Sequence, residues 1–431
     1  MSEASMRKSV LLKPFSGKTV PLEDLCISIT DCPHSTPKWC DDGLIVVRNF
    51  NIKDGSLDLS NPSYTDKDSF KERVKRAKPE AGDIIITREA PMGQVCMIPE
   101  GLECCLGQRM VLIKVNTKKV TSEYLLFALQ SEFVQKQIKK SDKTGSIVSN
   151  LCIPDLKALD IPLPNSSVEI ALTLSSILKK IDLNNRTNAE LEAMAKTLYD
   201  YWFVQFDFPD ANGKPYKTSG GKMEYNATLK REIPVRWMPG TLDDLGQIVG
   251  GSTPSTSNPE NFKTEGIPWI TPNDLSDNQR NKFISRGALD VSNEGIKNAS
   301  LKIYPAGTVL LSSRAPIGYM AIARNEVTTN QGFKSFIPSK GYPTEFVFYT
   351  VKNSLPIIVN NASGSTFKEI SGSVLKKIDI TLPEMSIVNS FTKTVTNIFS
   401  RQDKLELENQ QLAVLRDWLL PLLMNGQVTV K

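Results

Sequence analysis

The chain repeats itself, and this limits its fold more than anything else in it: whatever the first half builds, the second half must build again. AGDIIITREAPMG from Ala81 stands against AGTVLLSSRAPIG from Ala306, so that Ala90, Pro91 and Gly93 match Ala315, Pro316 and Gly318. GSIVSNLCIPDLKALDIPLP from Gly145 is equal in length to its match, GSTFKEISGSVLKKIDITLP from Gly364. Shorter echoes precede these. Leu22, Glu23, Asp24 and Leu25 are answered by Leu242, Asp243, Asp244 and Leu245, and DGLIVVRNFNI from Asp42 by EGIPWITPNDL from Glu265. Each is a glycine followed by an apolar strand that ends in polar groups.

Each copy ends in a proline that precedes a long helical seam. In the first, Ile170, Leu174, Ile177, Ile181, Leu191, Ala195, Leu198 and Trp202 alternate by four and three, with Asn184 and Asn188 in the middle seam positions. In the second, Val388, Phe391, Val395, Ile398, Leu405, Leu412 and Leu419 do the same, with Gln402, Asn409 and Arg416 polar in register. That is a heptad pattern, and polar residues within such a seam cost stability while fixing register in a paired coil. Ser166, with Glu169 three residues on, predicts the start of the first helix through a capping box. Pro421 and Gly426 predict the end of the second. About 35 helical residues make a rod of roughly 50 Å, longer than packing on one small domain requires. The two helices are therefore predicted to pair.

The expected fold class is α+β: two mixed α/β globular domains joined by two long antiparallel coiled-coil helices and related by a pseudo-two-fold axis. The boundaries read as a first globular domain at 1–165, a first long helix at 166–206, a linker at 207–240, a second globular domain at 241–383, and a second long helix with tail at 384–431. Apolar strands are predicted at 84–87 and 309–312, and short helices at 123–140 and 345–353. The linker reading rests on a Gly-, Pro- and Lys-rich stretch with no sustained period. A direct repeat whose helices pack antiparallel places its two domains at opposite ends of a rod, a relation that duplex DNA shares between its strands.

Composition excludes more than it selects. A net charge of +5 permits a polyanionic partner without demanding one. All seven cysteines (Cys26, Cys32, Cys40, Cys96, Cys104, Cys105 and Cys152) lie in the first copy, and the odd count reads as reduced cytoplasmic thiols. Cys32, His34 and Cys40 lack a fourth ligand at a zinc spacing, and His34 is the sole histidine. No signal core and no run of roughly 18 apolar residues is present, so a cytoplasmic protein without a membrane span is expected.

Catalytic motifs are missing as well. NPSY at 61–64 has serine where a methyltransferase target-amine motif needs its second proline, and no glycine-rich cofactor turn accompanies it. Pro154, Asp155 and Lys157 lack the acidic residue that a nuclease of the Pro-Asp, Glu-x-Lys type requires. With no Walker loop and one histidine, the chain reads as a binder: no catalytic residue and no metal ligand is assigned.

DNA-contact candidates lie in the matched loops. In the first copy they are His34, Ser35, Thr36, Arg48, Asn49, Arg88, Gln108, Arg109, Lys143 and Ser146. In the second they are Ser252, Thr253, Ser255, Thr271, Asn273, Asp274, Arg314, Gln331, Lys334 and Ser365. Arg and Lys suit guanine edges or phosphates, Asn and Gln suit adenine, and Ser and Thr suit either. Tyr199, Tyr201 and Phe203, at the end of the first long helix, read as an exposed aromatic patch for a protein partner.

The doubled domain and helix, LEAMAKTLYDYWFVQFDFP from Leu191, IPVRW at Ile233 and LAVLRDWLLPLLMNG from Leu412 resemble the DNA-specificity subunit of type I restriction-modification systems. The resemblance spans nearly the whole chain. It implies two target recognition domains, each reading one half of a bipartite double-stranded DNA sequence. It also implies helices that bind two methyltransferase (modification) subunits, extended by motor and nuclease (restriction) subunits. No cofactor is then expected on this chain; S-adenosylmethionine, ATP and magnesium belong on the partners. The alternatives are a self-sufficient DNA methyltransferase or nuclease, and a coiled-coil adaptor between proteins.

Overall fold

A computed structural model of the chain describes residues 15–53, 55–141, 150–364 and 368–430. It divides into two compact units, one of Met1–Ile181 with Gln410–Lys431 and one of Asp182–Asn409.

The first unit is built on β1 (Cys26–Asp31), β2 (Leu44–Val47), β3 (Ile84–Thr87), β4 (Val95–Met97), β5 (Cys104–Leu106) and β6 (Met110–Val115). One antiparallel sheet runs in the order β1-β6-β3-β4. β2 and β5 pair in parallel in a second sheet. The isoleucine run of β3 shows why the first sheet is covered on both faces. Ile84 and Ile86 point into one apolar cluster and Ile85 into another, and Val111 and Ile113 alternate with Met110 and Leu112 in the same way on β6. Each such side chain, fully buried, contributes roughly 1.5–3 kcal/mol. Helices α1 (Lys67–Val74), α2 (Ser122–Gln130) and α3 (Glu132–Lys140) follow. The helix expected over 123–140 is thus two, because Ser131 takes extended backbone and caps the second. α4 (Ser167–Tyr199) is the first long helix, and its Ile170, Ala171 and Leu174 join this unit's core.

The second unit repeats the plan with β7 (Gln247–Gly250), β8 (Phe262–Ile270), β9 (Phe283–Ile284), β10 (Val309–Ser313), β11 (Ile317–Ala323), β12 (Thr328–Thr329) and β13 (Lys334–Ile337). Its main sheet runs β7-β13-β10-β11-β9, the first unit's order with one edge strand added, and β8 and β12 form the parallel pair. The repeat reaches single hydrogen bonds. The Thr87 hydroxyl donates to the Pro91 carbonyl and accepts from the Gln94 N–H at 2.9 Å; that of Ser312 donates to the Pro316 carbonyl and accepts from the Tyr319 N–H at 2.9 Å. Ala90–Pro91 and Ala315–Pro316 are both cis, with Ala φ of 47° and 50°. Among its helices are α5 (Pro272–Asp277), α6 (Thr344–Asn360) and the second long helix, α7 (Met385–Met424).

The seam positions are buried or half-buried throughout both long helices. In the second unit the polar ones meet one another. The Asn184 amide donates to Asn409 Oδ1 at 2.9 Å and to Glu408 at 2.8 Å, and the Gln402 amide donates to the Asn188 carbonyl at 3.3 Å. The numbering falls on α7 as it rises on α4, so within this unit the two run antiparallel. Near the end of α7, Leu423 and Met424 belong to the first unit's core. Pro421, expected to help stop this helix, lies inside it. The stop is Gly426 at φ 68°, where the Gln427 N–H reaches the Leu422 carbonyl and the Gly426 N–H reaches that of Leu423, a Schellman closure.

Two expectations are corrected in the second unit. Tyr199 and Phe203 are 4% and 6% exposed, packed with Phe346, Tyr349 and Phe391. They form core rather than an exposed patch, because α4 passes into a π-helical turn at Asp200–Val204 that turns Trp202 and Phe203 inward. Tyr201 alone of the three is exposed. Residues 207–240, read as a linker, pair Met223–Asn226 with Arg231–Pro234 and bury Phe208, Ile233 and Trp237 in the same core. Their apolar anchors lie too far apart in sequence to show a period.

The second unit also holds a buried ionic network. Lys282 Nζ sits 2.7 Å from Glu192 of α4 and 2.7 Å from Gln402 of α7, and 3.8 Å from the Phe399 ring centre. Glu406 of α7 accepts the backbone N–H groups of Lys282 and Phe283 at 2.7 and 3.1 Å, and Arg324 Nη2 at 2.7 Å. Burial opposes the Glu192 charge, yet Lys282 and Lys352 overcome it and hold the carboxyl at about 2. Burial wins at Lys282, the more enclosed partner, which falls to about 8 despite Glu192. Burial likewise pushes Glu406 up to about 7. The Glu192 contribution is therefore complete above its ordinary 4.5 and is lost as the pH falls toward about 2. Glu406 runs oppositely: its contribution is greatest below 4.5 and fades as the pH rises through about 7. Glu192→Gln should cost on the order of 3 kcal/mol at pH 7, leaving Lys282 buried without its counter-charge. In thermal melts the deficit should shrink between pH 5 and pH 3; a deficit constant with pH would contradict the assignment.

Candidate nucleic-acid interface

In the first unit the parallel pair β2 and β5 releases both chains at the same end. Gly107 donates its N–H to the Val47 carbonyl at 2.7 Å, and a Cβ there would stand 2.9 Å from that oxygen, so only glycine admits the approach. Arg48 follows β2 directly, its N–H bonded to Asn51 Oδ1 at 2.9 Å and its guanidinium over Trp39 and Phe50 at 4.9 and 4.7 Å. Asn49 donates to the Glu89 carbonyl at 2.6 Å. The Gln108 amide donates to the His34 carbonyl and to Thr36 Oγ1, tying the His34, Ser35 and Thr36 loop to the loop after β5. His34 Nε2 lies 3.2 Å from Asp31, and Arg109 Nε lies 3.2 Å from Glu89. Arg88 is only 12% exposed and is bound to Asp31 at 2.7 Å and to the Leu151 carbonyl at 2.9 Å. Through Nε and Nη1 it holds the sheet end together.

Arg73, absent from the sequence candidates, organises this site. Its guanidinium on α1 donates to the carbonyls of Leu106, Ser35 and Pro33 at 2.7, 2.8 and 3.1 Å, and the residue is buried. In sequence it is one basic residue of a charged helix, and its partners lie 33 to 40 positions away.

The second unit carries the same frame with other side chains. The Thr253 hydroxyl donates to Gln331 Oε1, the reverse of the bond from the Gln108 amide to Thr36, and Trp269 Nε1 donates to the Ser252 carbonyl at 3.1 Å. The Ser313 N–H reaches the Gly332 carbonyl at 2.7 Å as that of Arg88 reaches Arg109 at 2.8 Å. Thr271 and Asp274 are not free to meet a ligand through their bonded oxygens. The Asp274 carboxylate takes the Thr271 N–H and hydroxyl at 2.7 and 2.6 Å and the Ala288 N–H at 2.8 Å, forming the cap of α5. Asn273, between them, is exposed. Arg314 and Lys334 each stand 3.8 Å from Glu369. Ser255 lies exposed beside Ser257 at 2.7 Å. Lys143, Ser146 and Ser365 lie outside the described residues.

These loops offer hydrogen-bond donors, cations and half-exposed rings, a set suited to base edges and phosphates. Among the described residues no group of three or more His, Cys, Asp or Glu could hold a metal ion, and burial pushes the Cys96 and Cys104 thiols up to about 12.

A family model described as the type I restriction modification DNA specificity domain matches residues 18–193 and 234–416. The type I restriction enzyme MjaIX specificity subunit of Methanocaldococcus jannaschii is 40% identical over 205 residues, 46% of this chain and 47% of that protein. This chain thus spans about half of that relative's length. The HindI specificity subunit of Haemophilus influenzae is 25% identical over 401 residues, 80% of this chain and 86% of that protein. A crystal structure of the type I restriction-modification S subunit from M. genitalium superposes with a TM-score of 0.55 at 14% identity, covering 96% of this chain and 97% of that one. At that identity the likeness concerns the fold.

Arg73→Met should leave three carbonyls beneath the His34 loop without their donor and destabilise the first unit by roughly 3 kcal/mol. Hydrogen exchange should show the loss concentrated at residues 33–36 and 106–108. Protection unchanged there would mean that Arg73 does not pin the loop.

Proposed function

We propose, because this chain belongs to the family of type I restriction-modification DNA specificity proteins, that its two halves read the two parts of a bipartite double-stranded DNA target. The chain recognises DNA sequence for a restriction-modification complex and leaves the chemistry to other subunits. One observation carries the two-part reading: a single frame is used twice with different chemistry at matched positions. Arg48 stands where Thr271 stands, Glu89 where Arg314 stands, and Arg109 where Gly332 stands. Equal frames with unequal side chains suit an asymmetric pair of half-sites.

The long helices act in this reading as an antiparallel coiled-coil spacer. Their surfaces dock two methyltransferase subunits, to which motor and nuclease subunits add. Tyr201, exposed past the end of α4, is the part of the expected aromatic patch that remains available to a partner. S-adenosylmethionine, ATP and magnesium would be held by those partners. No helix among the described residues is long and apolar enough to cross a membrane. A self-sufficient methyltransferase would bind S-adenosylmethionine on the isolated chain, and a pure adaptor would not retard duplex DNA as salt is lowered.

Exchanging residues 20–164 for the equivalent region of a relative should change one half of the methylated motif and leave the other intact; a change in both halves would refute independent reading. Matched four-residue insertions in 184–191 and 402–409 test the spacer. They add about 6 Å of rise and a net turn of roughly 40°, against about 3.4 Å and roughly 35° for one base pair. Rotation decides, since a domain turned from its groove loses every base contact while a little length is absorbed by bending. The gap should grow by about one base pair. An active complex with an unchanged gap would show that the helices do not set it.

A further inference from the structure

The arginines at the first unit's loops differ in what they still have to offer. Arg88 is bound to Asp31 and the Leu151 carbonyl, Arg109 to Glu89, and Arg73 to three backbone carbonyls. Arg48 is otherwise placed. Among the described residues its guanidinium meets the faces of Trp39 and Phe50, at 4.9 and 4.7 Å, and no carboxylate or carbonyl. Both rings are large and stay exposed, at 44% and 48%. Rings over a planar cation limit its rotation yet leave the N–H groups in its plane open.

That arrangement fits a base edge better than a phosphate. A phosphate is reached well enough by a flexible cation, whereas the O6 and N7 of guanine in the major groove demand a guanidinium fork held in one orientation. The half-exposed rings supply apolar surface for sugars and neighbouring bases to cover. The backbone beneath is firm, since the Arg48 N–H is tied to Asn51 and the preceding carbonyl receives Gly107. The second unit has the same cap, with the Thr271 N–H on Asp274, but there the side chain is a hydroxyl already bonded to that carboxylate. The two halves therefore differ in donor capacity at this position.

We propose that Arg48, packed on Trp39 and Phe50, reads a guanine edge in the half of the target assigned to the first unit, with no counterpart in the second. This rests on the reading that the first unit contacts DNA. The test maps methylated bases in the DNA of a host carrying this chain and its partner genes, for the wild type and for Arg48→Ala, Arg48→Lys and the double change Trp39→Leu with Phe50→Leu. The wild type should give a bipartite motif. In Arg48→Ala one guanine of one half should become degenerate, its discrimination falling roughly 5- to 150-fold, while every other position holds. Arg48→Lys should keep methylation efficiency but show the same degeneracy, since a point charge lacks the fork. The ring double variant should loosen that one position with Arg48 intact. A uniform loss of methylation with an unchanged motif would make Arg48 a phosphate contact and overturn the inference while leaving two-part recognition standing. An unchanged motif at unchanged efficiency would overturn it as well. A wild-type map without any bipartite motif would overturn the functional reading and this inference together.

Discussion

A carboxylate buried where water cannot reach must find its donors within the protein, and Glu406 shows how far that requirement shapes the second unit. It takes the backbone N–H groups of Lys282 and Phe283 at the start of β9 and a guanidinium from Arg324 just past β11, so one side chain of α7 fixes an edge strand of the main sheet and that strand's neighbour. Lys282, leading into β9, reaches back to Glu192 on α4 and Gln402 on α7. Losing one member leaves the others buried and unsatisfied, which costs more than the intact arrangement gains. The network therefore acts less as a source of stability than as a condition on geometry: the sheet edge and the two helices must meet in one register.

Much of the fold was legible because its signals are local or repeated. The heptad seams, including the polar Asn184, Asn188, Gln402 and Asn409, follow from spacing along one helix, and β3 and β10 from short apolar runs. The cap of α5 is present in the sequence too, as Thr271 with Asp274 three residues on, where each polar residue taken singly suits a DNA contact and the fold bonds the two to one another. What was not legible depends on distant partners. Tyr199 looks exposed at a helix end until Thr350, 151 positions away, receives its hydroxyl and Phe391 covers its ring. Residues 207–240 look like a linker for the same reason. Arg88 and Arg73 read alike as surface cations, and only the folded chain shows that both hold loops in place.

The duplicated frame separates what is reused from what varies. Strand order, the capped loop after the parallel strand, the hydroxyl of Thr87 or Ser312 and the Gln–Thr pair recur in both units. The residues that differ at matched positions project from those fixed points. A loop whose backbone is held by hydrogen bonds to neighbouring strands can change its side chains without losing its shape.

The two units differ in how their globular parts are seated on the helical segments they contain. In the first, the seat is apolar: Ile170, Ala171 and Leu174 of α4, with Leu423 and Met424 of α7, merge into one cluster with α2 and the sheet. In the second, the seat includes the Lys282, Glu192, Gln402, Arg324 and Glu406 network. An apolar seat tolerates any incoming surface of about the right volume. An ionic one asks more of its domain: lysines to meet Glu192, and an arginine with two backbone N–H groups to meet Glu406. Transplantation between relatives is accordingly easier at the front of this chain than at the back, so new specificities should enter through the first domain more readily than through the second.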